Sequence, residues 1–154
     1  MSVSLNPQLA KSIQVEAYVL LVRSAELLHA DISRGLLVEG LTPTQFSTLK
    51  ALKFRGSMPQ KDIASYLLKT GGNVTMVVDN LEKAGYVERI KNPEDRRLSV
   101  IRITPAGEEL FDRVYPPHLQ RIEEAMATLS EEDCASLVRI LRQVCPGYEH
   151  PVGN

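Results

Sequence analysis

MPQKDIASYLLKTGGNVTMVVDNLEKAGYVERIKNPEDRRLSVIRIT, residues 58–104, contains the change of period that decides the fold. Up to Ala84 the apolar residues recur at helical spacing. Ile63, Ala64 and Leu67 form the inner stripe of a short helix, Gln60–Leu67. Val74, Val77, Val78 and Leu81 form that of a second, Gly72–Ala84, with Gly85 placed to stop it. Two short amphipathic helices joined this tightly make a helix-turn-helix unit. From Tyr86 the period falls to two. Tyr86–Ile90 and Leu98–Ile103 read as strands, and KNPEDR between them is a polar hairpin tip. The hairpin is a wing. The predicted class is mainly α with a small β-hairpin wing: a winged helix-turn-helix with terminal helices on both sides.

Upstream, LTPTQFSTLKALKFRG (41–56) opens with a helix-start signature. Thr42 caps, Pro43 suits the first helical position, and Gln45 completes a capping box. Phe46, Leu49 and Leu52 give this helix an inner stripe, and Gly56 ends it. Before it, Leu9, Ile13, Ala17, Leu20, Leu21, Leu28, Ile32 and Leu36 keep helical spacing over a stretch longer than one small core needs. Part of that stripe is expected to pack against another chain. Downstream, Thr104 and Pro105 start a helix through Leu110, Val114, Leu119, Ile122 and Met126, which Pro116-Pro117 should bend or break. Ser130 caps a last helix with the stripe Cys134, Leu137, Val138, Leu141 and Val144. The organisation expected is one unit over 1–154. Residues 42–104 form the winged lobe, and 8–37 and 105–146 form dimerisation helices.

Bulk properties remove several classes. The chain has 154 residues, 44% hydrophobic and 24% charged, with a formal net charge of −1. No run of about 18 apolar residues suggests a membrane span. The N-terminus does not read as a signal peptide, so the cytoplasm is the expected location. Two cysteines, Cys134 and Cys145, and three scattered histidines, His29, His118 and His150, offer no metal-ligand spacing, and no cofactor is expected. No nucleophile elbow, phosphate loop or paired metal ligands point to an enzyme. Charge is unevenly placed: residues 60–104 carry eight Lys/Arg against six Asp/Glu, whereas the remainder is net negative.

That segment has the chemistry of a double-stranded DNA reader. The second helix of the unit can enter the major groove while the hairpin reaches an adjacent groove. Its outward residues are Asn73, Thr75, Met76, Asn80 and Lys83. Asn pairs bidentately with adenine, and Thr and Met pack on the thymine methyl. Thr70, Gly71 and Gly72 sit at its N-terminus, where free N–H groups favour a phosphate, and Lys69 adds a charge. Gln60, which opens the preceding helix, is a further candidate contact. At the hairpin tip Asp95, Arg96 and Arg97 cluster beside Lys91 and Asn92. An Arg there can enter a narrow A/T-rich minor groove, and Asp95 can hold the Arg97 guanidinium by a charged hydrogen bond.

LTPTQFSTLKAL, QKDIASYLLKTGGNVTMVVDNLEKAGYVER and NPEDRRLSVIRITPAGEELF together resemble the multiple-antibiotic-resistance regulator (MarR) family, from the first helix to about Val144. LEKAGYVER, DRR and ITPAGEEL are the most specific runs. The resemblance implies a triangular homodimer joined through its terminal helices, with recognition residues near 70–76 and the wing motif as Asp95 and Arg97. Met76 stands where many relatives carry a basic or longer polar residue, so base preference does not transfer there. TGGNVTMVVDNLEKAGYVER is similar to members that respond to quinones or phenols.

Within the family some members bind aromatic anions between the dimer helices and the DNA lobe. Others oxidise a cysteine near the start of the first helix. This chain has no Cys before position 134. Cys134 follows Glu131, Glu132 and Asp133, and Cys145 lies at a helix C-terminus. Both settings are electronegative, the opposite of what a redox thiol needs. The expected switch is therefore ligand binding, and the resemblance implies a small aromatic ligand, for which Tyr18, His29, Phe46 and Phe54 are candidate pocket residues. Two other readings remain open: a protein-interaction module without sequence-specific DNA binding, and a thiol- or quinone-responsive regulator using Cys134 or Cys145.

Overall fold

The computed structural model describes residues 12–67, 71–95 and 97–147. The order is α1 (Ile13–Val38), α2 (Pro43–Arg55), β1 (Met58–Pro59), α3 (Gln60–Tyr66), α4 (Gly71–Lys83), β2 (Val87–Lys91), β3 (Ser99–Ile103), α5 (Pro105–Met126) and α6 (Glu131–Val144). The expected helix-turn-helix, hairpin and flanking helices are all present, with ends displaced by a residue or two. The part of the first predicted helix that includes Leu9 lies outside the described residues.

The capping residues act as their types dictate. Thr42 Oγ1 accepts from the Gln45 amide at 3.2 Å, and the Gln45 side chain accepts from the Thr42 amide at 2.9 Å. This reciprocal pair satisfies donors that the first turn of α2 leaves open. Ser12 and Ser130 accept in the same way from Val15 and Asp133. Behind Thr42, α2 buries Phe46, Leu49, Ala51 and Leu52. Thr48, the one buried polar residue among the described residues, donates its hydroxyl to the Thr44 carbonyl at 2.8 Å, so no polar atom is stranded there.

The core lies among α2, α3, α4 and the start of α5. Ile63, Val74, Val78, Leu81, Val87, Ile101, Phe111 and Val114 are almost wholly removed from solvent. Three antiparallel strands close it in the order β1-β3-β2. Sequence reading missed β1. It is two residues long and ends in a proline, and it exists only because Met58 and Pro59 meet Ile101 and Val100 on β3. An edge position accommodates a proline that would cost a ladder bond elsewhere.

Thr104 fastens α5 to the lobe. Its Oγ1 donates to the Gly85 carbonyl at 2.6 Å and accepts from the Gly107 amide at 3.1 Å. Gly107 is required by close approach: a Cβ there would lie 2.1 Å from the Tyr86 carbonyl oxygen. Of the bend or break expected at Pro116-Pro117, the break does not occur, and α5 is continuous over 22 residues. The prolines remove amide donors, but packing holds both halves of the helix. Leu110, Phe111 and Val114 are buried before the prolines, and His118 lies against Phe46 after them, with ring centroids 4.3 Å apart.

Candidate nucleic-acid interface

The inner stripe of α4 leaves one face outward, and that face carries the predicted readers. Val74, Val78 and Leu81 are buried, whereas Gly72, Asn73, Thr75, Met76 and Asn80 are exposed. Met76, at 61% exposure, is a large apolar side chain held in solvent. Gln60 Nε2 donates to Thr75 Oγ1 at 2.5 Å, so the first residue of α3 and the middle of the α4 face form one surface. A Cβ on Gly72 would meet nothing within 4 Å. Its missing side chain is not demanded by packing against the described residues. Lys69 and Thr70 lie outside the described residues.

The wing extends beside this face. β2 and β3 pair with Val87 opposite Ile103, Arg89 opposite Ile101 and Lys91 opposite Ser99. At the tip the Asn92 side chain accepts from the Glu94 amide at 2.9 Å, and Asp95 Oδ1 accepts from the Arg97 backbone amide at 3.0 Å. This corrects the expected role of Asp95. It shapes the turn through the backbone, and no ion pair joins it to the Arg97 guanidinium among the described residues. Lys91 is exposed at the base of the tip. Arg96 lies outside the described residues.

Not every basic residue of this segment is without an acidic partner in the chain. Glu88 and Arg102 pair across the strands, with Nη2 to Oε1 at 2.6 Å. Arg89 binds Asp79 and Glu82 of α4. The local positive excess is therefore carried by fewer free cations than a residue count gives.

A cavity of about 220 Å³ lies where α1, α2 and α5 meet. His29, Ser33 and Leu36 of α1, Phe46 and Lys50 of α2, and His118 of α5 are among its lining residues. Lys50 has no acidic partner among the described residues, and burial lowers its pKa. Its ammonium lies 6.0 Å from the Tyr115 ring centroid. His118 is pushed down to about 4 by burial and by the neighbouring Arg121 and Lys50 charges, with Glu39 opposing. Its Nδ1 is buried without a partner among the described residues, and the imidazole is neutral at ordinary pH. Beside it, Arg121 makes a forked pair with Glu39 at 3.3 and 3.1 Å, joining α5 to the end of α1. Gly35 permits this, because a Cβ there would fall 2.2 Å from Arg121 Nε.

Of the four pocket candidates, His29 and Phe46 line this cavity and two do not. Tyr18 is 67% exposed on α1. Phe54 packs edge-on to Phe111 at 5.7 Å and against Tyr115, on the core rim. Sequence reading missed Lys50 and His118. The signal for Lys50 was its position four residues after Phe46, on the same face of α2. A shallower depression of about 400 Å³ on α1 is larger, but its only cation, Arg34, is paired with Asp31. Among the described residues no group of His, Cys, Asp and Glu could hold a metal, and no helix is long and apolar enough to cross a membrane.

Comparison with known proteins places this geometry. Residues 41–99, from the entry to α2 through the wing tip, match the MarR family. Over 130 residues the chain is 30% identical to the HTH-type transcriptional regulator MhqR of Bacillus subtilis (strain 168), covering 84% of this chain and 90% of MhqR. The chain belongs to the MarR family. A second B. subtilis relative, the uncharacterized HTH-type transcriptional regulator YkoM, is 38% identical over 111 residues, 72% of each chain. Among solved structures, the MarR family regulator Sco3205 of Streptomyces coelicolor, in complex with DNA, superposes with a TM-score of 0.76 at 26% identity over 90% of each chain. The protein is thus a MarR-family transcriptional regulator and not an enzyme.

Proposed function

We propose that this MarR-family regulator binds operator DNA as a homodimer, acts as a repressor, and releases DNA when a small aromatic anion enters the cavity between α1, α2 and α5. The observation that carries the dimer is unpartnered apolar surface on the terminal helices. α1 runs for 26 residues and buries only Leu36, and α6 buries none. Ile13, Leu20 and Leu27 on α1 and Val138, Ile140 and Val144 on α6 stand exposed in the single chain. An apolar surface of this extent is what a dimer covers. The dimerisation helices proposed are 8–37 and 105–146, flanking the lobe 42–104.

In such a dimer two α4 helices read half-sites about one DNA turn, roughly 34 Å, apart. Gln60, Gly71, Gly72, Asn73, Thr75, Met76 and Asn80 face the major groove or its rim. Lys91, Asp95 and Arg97 form the wing contact, and Lys69, Thr70 and Arg96 complete the set. The cavity supports the choice of ligand. Its volume is below the roughly 300–1,000 Å³ of drug-sized pockets, a scale suited to a single ring. Phe46 offers an aromatic wall and Lys50 an unpaired cation. A ligand lodged between the helical frame and the lobe acts by preferring the lobe spacing that does not fit DNA.

The test selects duplexes from a random library with the purified protein and follows binding with light scattering. A dimer on a pseudo-palindrome, weakened by orders of magnitude from low to moderate salt and released by a salicylate-type acid, supports the reading. A monomer, a salt-independent complex or equal affinity for random DNA overturns it. Release by peroxide or a quinone, lost in a Cys134→Ser/Cys145→Ser variant, would replace the ligand with thiol chemistry.

A further inference from the structure

Arg89 looks at first like one more basic residue for the DNA. Strand alternation places it elsewhere. In β2 it shares a face with Val87, which is buried, and it sits opposite Ile101, which is also buried. This is the face on which α4 packs. A guanidinium directed there must find charge partners, because an unpaired buried charge is costly. It finds two on one face of α4, three residues apart. Nη2 lies 2.5 Å from Asp79 Oδ1, and Nη1 pairs with Glu82. The Arg89 backbone amide also donates to Glu82 Oε1 at 3.2 Å. The Arg89 side chain is 27% exposed. One residue of the wing is therefore bound to the recognition helix through both backbone and side chain.

We propose that Arg89 is a positioning residue for DNA binding: it clamps the wing to the recognition helix through Asp79 and Glu82, and it contacts no phosphate itself. The relative placement of Arg97 at the wing tip and Asn73, Thr75 and Met76 on α4 is set by this clamp, since the hairpin leaves the lobe as a narrow two-stranded ribbon beyond β1. The clamp also neutralises part of the negative charge that Asp79 and Glu82 would present near the phosphates. The proposal rests on the DNA-binding reading of α4 and the wing, and it adds a residue that a charge count assigns to the wrong task.

The test compares Arg89→Met, Asp79→Asn/Glu82→Gln and Arg97→Ala, using a duplex selected from a random pool by the wild-type protein and a random duplex. Arg89→Met is expected to weaken binding to the selected duplex roughly two- to thirtyfold, while the slope of log affinity against log salt stays as in wild type. Arg97→Ala should lower that slope by about 0.9 for each phosphate it no longer neutralises. Asp79→Asn/Glu82→Gln removes two negative charges per chain. It should raise affinity for random DNA yet lower the ratio of selected to random binding, because the readers lose their relative placement. In DNA-free protein, hydrogen exchange at the amides of β2 and β3 should quicken in Arg89→Met relative to those of α2. A salt slope reduced as in Arg97→Ala, an unchanged selected-to-random ratio in the double variant, or unchanged exchange overturns the proposal. Should Arg89→Met fail to fold, the double variant carries both the ratio and the exchange readings. Should the wild type select no duplex, the DNA-binding reading fails while the exchange arm still decides the clamp.

Discussion

The winged lobe and the terminal helices are built on opposite terms. In the lobe α2, α3, α4 and the sheet converge on one another, and Leu49, Ile63, Val74, Val78 and Ile101 are shut away from solvent. In α1 and α6 the same kinds of residue stand outside: Ile13, Tyr18, Leu20, Leu27, Val138 and Val144 are each at least half exposed or nearly so. Burial of apolar surface contributes about 25 cal/mol per Å². The lobe collects that within one chain, and the helical arms collect little of it until another surface covers them. The lobe should thus be the unit that keeps its fold alone, and the arms the unit whose stability depends on concentration.

The largest break in this comparison is a matched pair of charges. Val78→Asp puts an unpaired carboxylate in a site with no exposure and should unfold the lobe at any protein concentration. Val138→Glu adds a carboxylate to an exposed face of α6 and should leave the lobe folded while converting the proposed dimer to monomer. Light scattering and circular dichroism on the two variants check this. Loss of fold in Val138→Glu, or a stable dimer in it, would remove the contrast.

Glu39 and Arg121 tie the two regions together, since the pair links the end of α1 to α5 beside the cavity. Glu39→Gln leaves Arg121 without its counter-charge in a site about one-quarter exposed. A loss of about 1–3 kcal/mol is expected, read from thermal or denaturant melts. His118 gives the junction a pH dependence. Its folded pKa of about 4 lies below its usual 6.5, so the unfolded chain takes up the proton first. Stability from this group is complete above about pH 6.5 and declines as pH falls towards 4. His118→Phe should flatten that part of the curve of melting temperature against pH. The smallest effect is expected at the entry to α2, where Thr42→Ala removes the capping box and costs about 1 kcal/mol. That loss should appear in lobe stability without changing the oligomeric state.

The parts legible from sequence are those whose physics is local. The change from helical to two-residue period between Ala84 and Tyr86 located the recognition helix and the wing, because periodicity records which face is buried before any partner is known. Thr42, Thr104 and Ser130 marked helix starts, because a cap bonds within three residues of itself. The outward face of α4 followed from its buried one. Tertiary structure decided what depends on residues far apart in the chain. β1 needs β3 as a template. The double proline yields to the packing of Phe111 and His118 around it. Asp95 turns out to bond the backbone of Arg97, a choice between two nearby donors that spacing leaves open. Lys50 and His118 meet at one cavity, with the Glu39–Arg121 pair beside it, only after three helices pack. Arg89, one of the eight basic residues counted over 60–104, is drawn inward by strand register onto Asp79 and Glu82. Sequence period assigns a side chain to a face, and only the packed fold supplies the neighbour that determines what its charge does there.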